Sequence, residues 1–152
     1  MKKIYITVYS LVLLLSVVSR PLYSAAEKDL MLNVIGGLSA QGIYLTYVSI
    51  GSLVDGHVHK AYKDDFTRRL MDEYIALSNH SKKLLTKLVT SGILTENDNK
   101  FVNDLLTTYD ILIAEAAAYK NYIDTGSKDQ INVYEFNRKE AWKRISKLLN
   151  LK

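Results

Sequence analysis

The chain has 152 residues, of which 48% are hydrophobic and 24% are charged, with one proline and no cysteine. The apolar fraction excludes a wholly disordered chain, the single proline excludes collagen-like and proline-rich proteins, and the missing cysteine excludes disulfide scaffolds and thiolate metal sites. The net charge of +4 does not indicate nucleic-acid binding, because three basic residues and no acidic ones lie in residues 1–26, which leaves 17 basic against 16 acidic side chains in the rest.

Residues 1–26 have the pattern of a secretory signal peptide. Lys2 and Lys3 precede an uncharged, mostly apolar segment at 4–18, and small residues follow Pro21 up to Ala26. Fifteen residues are short for a membrane span, so we expect cleavage after Ala26 and a periplasmic or secreted protein, with a bacterium as the expected source. Retention of this segment as an anchor is the alternative.

The remaining residues 27–152 are predicted to form one all-α domain, an antiparallel up-down-up-down four-helix bundle. The predicted helices cover approximately 29–54, 59–90, 95–125 and 127–150. The turn dipeptides Asp55-Gly56 and Ser91-Gly92 end the first and second helices, and Gly126 stops the third. Capping-box patterns begin the third helix, at Thr95 with Asp98, and the fourth, at Ser127 with Gln130.

Three of these helices carry one apolar stripe each, with alternating steps of three and four residues, and we expect each stripe to be buried. In the second helix the stripe is Tyr62, Phe66, Leu70, Tyr74, Leu77, Ser81, Leu84 and Leu88. In the third helix it is Val102, Leu105, Tyr109, Leu112, Ala116, Tyr119 and Ile123. In the fourth helix it is Ile131, Tyr134, Arg138, Ala141, Ile145 and Leu148, with one basic residue among apolar ones.

The first helix differs, because Leu30–Val54 contains no charged residue. Three interpretations fit this segment: the most buried helix of the bundle, apolar on nearly every side; the seam of a homodimer; or a membrane span, which with 4–18 would make a protein with two apolar segments. Its polar residues and four glycines lower the hydropathy of the segment. We therefore favour the buried helix.

Asp55, His57 and His59 cluster near the first predicted turn and are candidate metal ligands, since carboxylate and imidazole bind zinc, copper and nickel. Two histidines spaced i and i+2 diverge on a helix and converge only in an extended loop. Solvated polar residues at a turn are therefore the favoured interpretation, and no cofactor is predicted.

Tyrosine is abundant, and two further sets of residues are candidate binding sites. The tyrosines Tyr44, Tyr47, Tyr109 and Tyr119 are candidates for lining a pocket for a small aromatic or amphiphilic ligand, although tyrosine also serves simply at the edge of a core. The basic residues of the fourth helix, Arg138, Lys139, Lys143 and Arg144, are candidates for contacting an acidic partner, although such residues also complement the dipole of a helix C-terminus.

The sequence contains none of the motifs for nucleophilic catalysis, phosphate binding or dinucleotide binding, which makes an enzyme an unfavoured prediction. We expect an exported, non-enzymatic helical bundle that binds another envelope protein or a second copy of itself. A small-ligand or metal carrier or sensor is the alternative, and a membrane protein is the third. Fold class alone cannot separate these functions.

Overall fold

The computed structural model describes residues 25–151, which form four α-helices and no strand. Helix α1 spans Ala25–Val58, α2 spans Asp64–Thr90, α3 spans Glu96–Thr125 and α4 spans Lys128–Leu148. The all-α prediction is confirmed, and four helices joined by short connections are consistent with a four-helix bundle. The predicted signal segment at 1–24 lies outside the described residues.

The chain divides into two compact units, residues 1–34 and residues 35–152. The described part of the first unit is the beginning of α1, where Leu30, Met31 and Val34 expose more than half of their surface. The second unit contains the rest of α1 together with α2, α3 and α4. All sites discussed below lie in this second unit.

Side-chain pairs define how the helices of the second unit run relative to one another. The α2–α3 ion pairs are Arg68 with Asp124, Asp72 with Lys120, and Lys82 with Asp110. The α3–α4 pairs are Glu115 with Arg138 and the tilted rings of Tyr119 and Tyr134. In both sets the position on one helix rises as the position on the other falls. Consecutive helices α2, α3 and α4 therefore run antiparallel, as short connections require.

The predicted stripes of α3 and α4 form the centre of the core. The buried residues of these stripes are Val102, Leu105, Tyr109, Leu112, Ala116 and Tyr119 on α3, and Tyr134, Ala141 and Ile145 on α4. Leu105, Leu112 and Ile145 are among the largest side chains with no exposed surface. The 3.5-residue periodicity therefore identified the inner faces of both helices correctly.

The predicted stripe of α2 is wrong for the fully buried positions, although Leu70, Tyr74 and Leu88 of that stripe pack partly buried against the core. The buried residues of this helix are Thr67, Met71, Ser78 and Leu85, one position away from the predicted line. Leu77 and Leu84 belong to the predicted stripe, yet each exposes more than half of its surface. One residue corresponds to about 100° around a helix, so α2 turns Thr67, Met71, Ser78 and Leu85 inward and leaves Leu77 and Leu84 facing outward. The Thr67 hydroxyl donates to the Lys63 carbonyl oxygen, which satisfies it inside the core.

The prediction that the first helix is buried on nearly every side is also wrong. Its buried residues lie on one side and include Ala40, Ile43 and Ile50. Leu38 and Leu45 face away and are 64% and 62% exposed. The described contacts of the buried side go to α3 and α4, at Gly36 against Phe101, Gly42 against Tyr109 and Gly51 against Arg138. Within residues 25–151, no helix combines the length and sustained hydropathy that crossing a membrane requires.

Two predicted helix boundaries are confirmed by their capping geometry. The Thr95 hydroxyl accepts a hydrogen bond from the Asp98 N–H, and the Asp98 carboxylate accepts one from the Thr95 N–H. Gly126 ends α3 in the left-handed conformation, with φ of 65°. By contrast, Ser127 precedes α4 without a side-chain capping bond, so the predicted capping box at Ser127 and Gln130 is wrong.

The predicted turn at Asp55-Gly56 is wrong as well, because α1 continues through it to Val58. The chain reverses later, at Lys60, whose φ is 62°. The backbone N–H groups of Ala61 and Tyr62 both donate to the Gly56 carbonyl oxygen. The Tyr62 ring lies 2.2 Å from the position that a Cβ on Gly56 would occupy. Gly56 therefore serves the close approach of Tyr62 rather than the end of a helix.

Candidate functional site

An apolar groove lies between α1 and α2. One cavity of 660 Å³ is lined mainly by Ile35, Leu38, Ser39 and Gly42 of α1 and by Ser81, Leu84, Leu85 and Leu88 of α2. A second cavity of 240 Å³ continues along the same two helices, lined by Val48, Ser49, Ser52, Leu53, Tyr62, Phe66, Leu70 and Tyr74. Together the two cavities follow most of the length over which α1 and α2 lie side by side.

Leu38 of α1 and Leu84 of α2 line the larger cavity, and Leu45 and Leu77 lie seven residues away on the same sides of these two helices. We call the surface formed by these four leucines the leucine face. The exposed fractions are 64% for Leu38, 62% for Leu45, 65% for Leu77 and 53% for Leu84. The two leucines of each helix are seven residues apart, which places them on one line about 10 Å apart. No charged residue of α1 interrupts the face, because Leu30–Val54 is uncharged. Large exposed apolar patches are uncommon on monomeric proteins, so the leucine face is a candidate contact surface.

The groove reaches Tyr109 of α3 at the level of Gly42. A Cβ at Gly42 would lie 3.4 Å from the hydroxyl oxygen of Tyr109, which also lines the larger cavity. Tyr109 is buried and lines the bottom of the larger cavity, between α1 and α2.

The four tyrosines predicted to line one ligand pocket do not meet. Tyr109 lines the groove, whereas Tyr119 lies at the other end of α3, beside His57. Tyr47 stacks on Trp142 at 5.7 Å between ring centroids and carries the Arg138 guanidinium over its ring at 4.4 Å. Tyr44 is 36% exposed. Each tyrosine therefore belongs to a separate environment.

His57 of α1 contacts α3 and the first residue of α2 through its two ring nitrogens. Its Nδ1 lies 2.9 Å from the Tyr119 hydroxyl oxygen, and its Nε2 lies 3.0 Å from Oδ1 of Asp64. Because an ionised carboxylate only accepts, we assign the Nε2 proton to the bond with Asp64, so that Nδ1 accepts from Tyr119. The hydrogen bond from His57 lowers the pKa of Asp64, and burial raises the pKa of Tyr119 to about 12. This arrangement holds Tyr119 in its protonated form and ties α1 to α3.

The predicted metal ligands are not brought together. His57 is engaged by Tyr119 and Asp64, while Nδ1 of His59 donates to the backbone oxygen of Asp55 at 2.8 Å. Residues 25–151 contain no group of three or more His, Cys, Asp or Glu side chains that could hold a metal ion. The structure thus gives no support to a metal site at this turn.

Glu115 forms a buried ion pair that the sequence analysis did not predict. Its side chain has no exposed surface, and its Oε1 accepts from Nη1 of Arg138 at 2.9 Å. Its other oxygen, Oε2, is buried without a hydrogen-bond partner among the described residues. Burial outweighs the hydrogen bond and the charge of Arg138, and raises the pKa of Glu115 to about 7.

The four basic residues predicted to form one partner-binding surface are divided between different environments. Arg138 points inward to Glu115 and Tyr47. Arg144 is half-buried and lines a small cavity of 190 Å³ with Phe101 and Asp104. Only Lys139 and Lys143 are exposed. Charge reversal at Arg138 would therefore disturb the core rather than a surface.

Both features that the sequence analysis missed had a signal in the sequence. Glu115 is the single charged residue between Ile111 and Tyr119, and Arg138 is the single charged residue in the stripe of α4. Two opposite charges on the inner faces of antiparallel neighbours indicate a pair. On α2, the line Thr67, Met71, Ser78 and Leu85 also has helical spacing. A search for apolar stripes does not select it, because two of its four residues are polar.

A scan against protein-family models, a search of curated proteins and a search of solved structures each find no match to this chain.

Proposed function

We propose that this protein is a non-enzymatic binding module of the cell envelope that takes an apolar helical surface of a protein partner on its leucine face. The observation that carries the proposal is the outward position of Leu38, Leu45, Leu77 and Leu84 along one groove. Leaving four leucines more than half exposed forgoes the stability that their burial would provide. A surface kept apolar at such a cost indicates contact with a partner.

The shape of the groove favours a protein partner over a small molecule. Small-molecule sites enclose most of the ligand, whereas the leucines beside this groove are more than half exposed. The two cavities follow α1 and α2 from Ile35 to Leu53, a length of about 27 Å, which matches several turns of a helix laid along the groove. A carrier for an apolar small molecule is the second candidate, supported by the 660 Å³ volume of the larger cavity.

The proposal that the module is non-enzymatic rests on the chemistry of the polar clusters. The proton of Tyr119 is held firmly, since its pKa is raised to about 12, and Glu115 has no exposed surface from which to reach a substrate.

The proposal of export rests on the signal-like pattern of residues 1–26. Intact mass of the protein produced from the full sequence tests that part, with loss of residues 1–26 as the expected result.

Site-specific photocrosslinking tests the proposed function. A photoreactive amino acid replaces Leu77 in one strain and Phe136 in a control strain, since both side chains are 65% exposed and Phe136 lies on α4. We expect a discrete protein adduct from position 77 that disappears when Leu45 is also changed to Lys, and no such adduct from position 136. An equal yield at both positions, or an adduct insensitive to Leu45→Lys, contradicts the proposal.

Native mass spectrometry of the gently purified protein separates the second candidate. A bound small molecule that is lost on filling the groove by Ser39→Leu would replace the proposed function with the carrier. A spectrum without such a passenger is the result that our proposal predicts.

A further inference from the structure

We propose that the partner on the leucine face is a second copy of this chain, related by a two-fold axis perpendicular to α1 and α2. This inference rests on the proposed function and names its partner. It follows from three properties of the face: the symmetric placement of the leucines, the charges beyond them, and the available area.

The leucines are placed symmetrically along the two helices. Leu38 and Gly42 line the larger cavity together with Leu84, while residues 48–53 line the next cavity together with residues 66–74. Positions on α1 thus rise as positions on α2 fall, and Leu38 lies level with Leu84 while Leu45 lies level with Leu77. The midpoints of the two leucine pairs therefore lie side by side, between Gln41 and Gly42 on α1 and between His80 and Ser81 on α2.

A two-fold axis through those midpoints makes the face complementary to itself. It places Leu38 against Leu45 of the second copy and Leu77 against Leu84 of the second copy, and the reverse contacts follow by symmetry. Each helix then packs antiparallel on its own counterpart, with leucines spaced by seven residues in contact. On an apolar surface without this symmetry, one two-fold axis would not bring the leucines of both helices into contact with leucines of the second copy.

The charges beyond the leucines fit the same axis. Glu73 lies four residues before Leu77, and Lys87 lies three residues after Leu84, so the axis brings Glu73 opposite Lys87 of the second copy. Both side chains are exposed, and neither forms an ion pair within the described residues. The symmetric contact therefore contains two ion pairs between Glu73 and Lys87 of opposite copies, which cannot form within the single chain.

The area is sufficient for a specific dimer. From Phe66 to Leu88 the face is about 33 Å long, and two helices side by side are about 20 Å wide, which gives about 650 Å² per copy. This value is at the lower end for specific protein interfaces, so we expect a dissociation constant in the micromolar range.

A charge-exchange experiment on the protein produced from the full sequence tests the dimer. Sedimentation velocity is measured from about 1 to about 200 micromolar for wild type, Glu73→Lys, Lys87→Glu and a 1:1 mixture of the two variants. We expect wild type to form a dimer and each variant alone to dissociate at least about tenfold more easily, because each would oppose like charges twice. We expect the mixture to recover the dimer, because only the mixed pair restores both attractions.

Two further variants distinguish loss of the dimer from loss of the fold. Leu77→Lys is expected to abolish the dimer while the circular dichroism spectrum stays helical, because this side chain is 65% exposed in the single chain. Phe136→Lys is the matched control, with the same exposed fraction, and is expected to leave the dimer intact.

Several results would overturn the inference. They are a monomeric wild type over the whole range, a mixture no more dimeric than its components, or a dimer indifferent to Leu77→Lys. A monomeric wild type combined with a crosslink from position 77 to a different protein would overturn the second copy and retain the proposed function. A monomeric wild type without any such crosslink would contradict both.

Discussion

The buried carboxyl group of Glu115 makes the stability of this protein depend on pH in a direction opposite to that of most carboxylates. Its pKa is about 7 in the folded protein, against an ordinary value of 4.5 in the unfolded chain. Below about pH 4.5 the group is protonated in both states, and its burial costs little. As the pH rises towards 7, the unfolded chain releases the proton first, so the folded state loses stability.

The magnitude follows from these two values. Each pKa unit corresponds to about 1.4 kcal/mol, so ionisation of Glu115 should lower the free energy of unfolding by about 3 kcal/mol between pH 4.5 and pH 8. Solvent does not screen this change in the free energy of unfolding, because the Glu115 side chain has no exposed surface. The physical cause is burial, which Arg138 offsets only in part through a single hydrogen bond to Oε1.

Glu115→Gln isolates this contribution, because glutamine has nearly the same shape, stays neutral and keeps an oxygen that can accept from Arg138. Urea unfolding followed by circular dichroism, at one protein concentration, gives the free energy of unfolding of both proteins from pH 4.5 to pH 8. We expect wild type to lose about 3 kcal/mol relative to Glu115→Gln over this range. The exposed Glu96→Gln is the control and should show no such change.

A constant difference between wild type and Glu115→Gln across this range would refute the reasoning. So would a difference that favours wild type increasingly as the pH rises. The second result would mean that the attraction of Arg138 exceeds the cost of burial, so that the pKa of Glu115 lies below its ordinary value.

The remaining predictions concern stability and are checked by urea unfolding at neutral pH. In protein diluted below the concentration at which the proposed dimer forms, Leu85→Ala should cost about 2–5 kcal/mol because Leu85 is buried, whereas the neighbouring Leu84→Ala should cost less than about 1 kcal/mol because Leu84 is 53% exposed. Equal costs would contradict the observed orientation of α2. Tyr119→Phe should cost about 1 kcal/mol by removing the hydrogen bond to His57, and no loss would mean that this bond does not stabilise the fold. Gly126→Ala should cost about 1 kcal/mol because φ is 65° there, and an unchanged stability would contradict the left-handed C-cap.

The sequence was sufficient to predict the number of helices and two of the three stripes. On α3 and α4 the apolar residues form a single line, so Leu105, Leu112 and Ile145 could be assigned to the core by spacing alone. The capping box at Thr95 and the glycine stop at Gly126 were predictable because each depends on residues within one helical turn.

On α2 the same method failed, since two lines with helical spacing compete and hydrophobicity favours the wrong one. The buried line of α2 is Thr67, Met71, Ser78 and Leu85, and three ion pairs join this helix to α3. These are long-range contacts, and no local pattern contains them. The leucine face therefore emerged only with the packing of the helices, whereas the isolated charges of Glu115 and Arg138 among apolar residues are visible in the sequence.

The most direct test of the account is whether the leucine face is covered in the cell. The chain has no cysteine, so single variants Leu84→Cys and Phe136→Cys each carry one thiol that a permeant maleimide can label. We predict that Leu84→Cys is protected in intact cells, becomes reactive in dilute purified protein, and that Phe136→Cys reacts readily in both. Equal and rapid labelling of the two thiols in intact cells would mean that nothing covers the face, and would contradict the account.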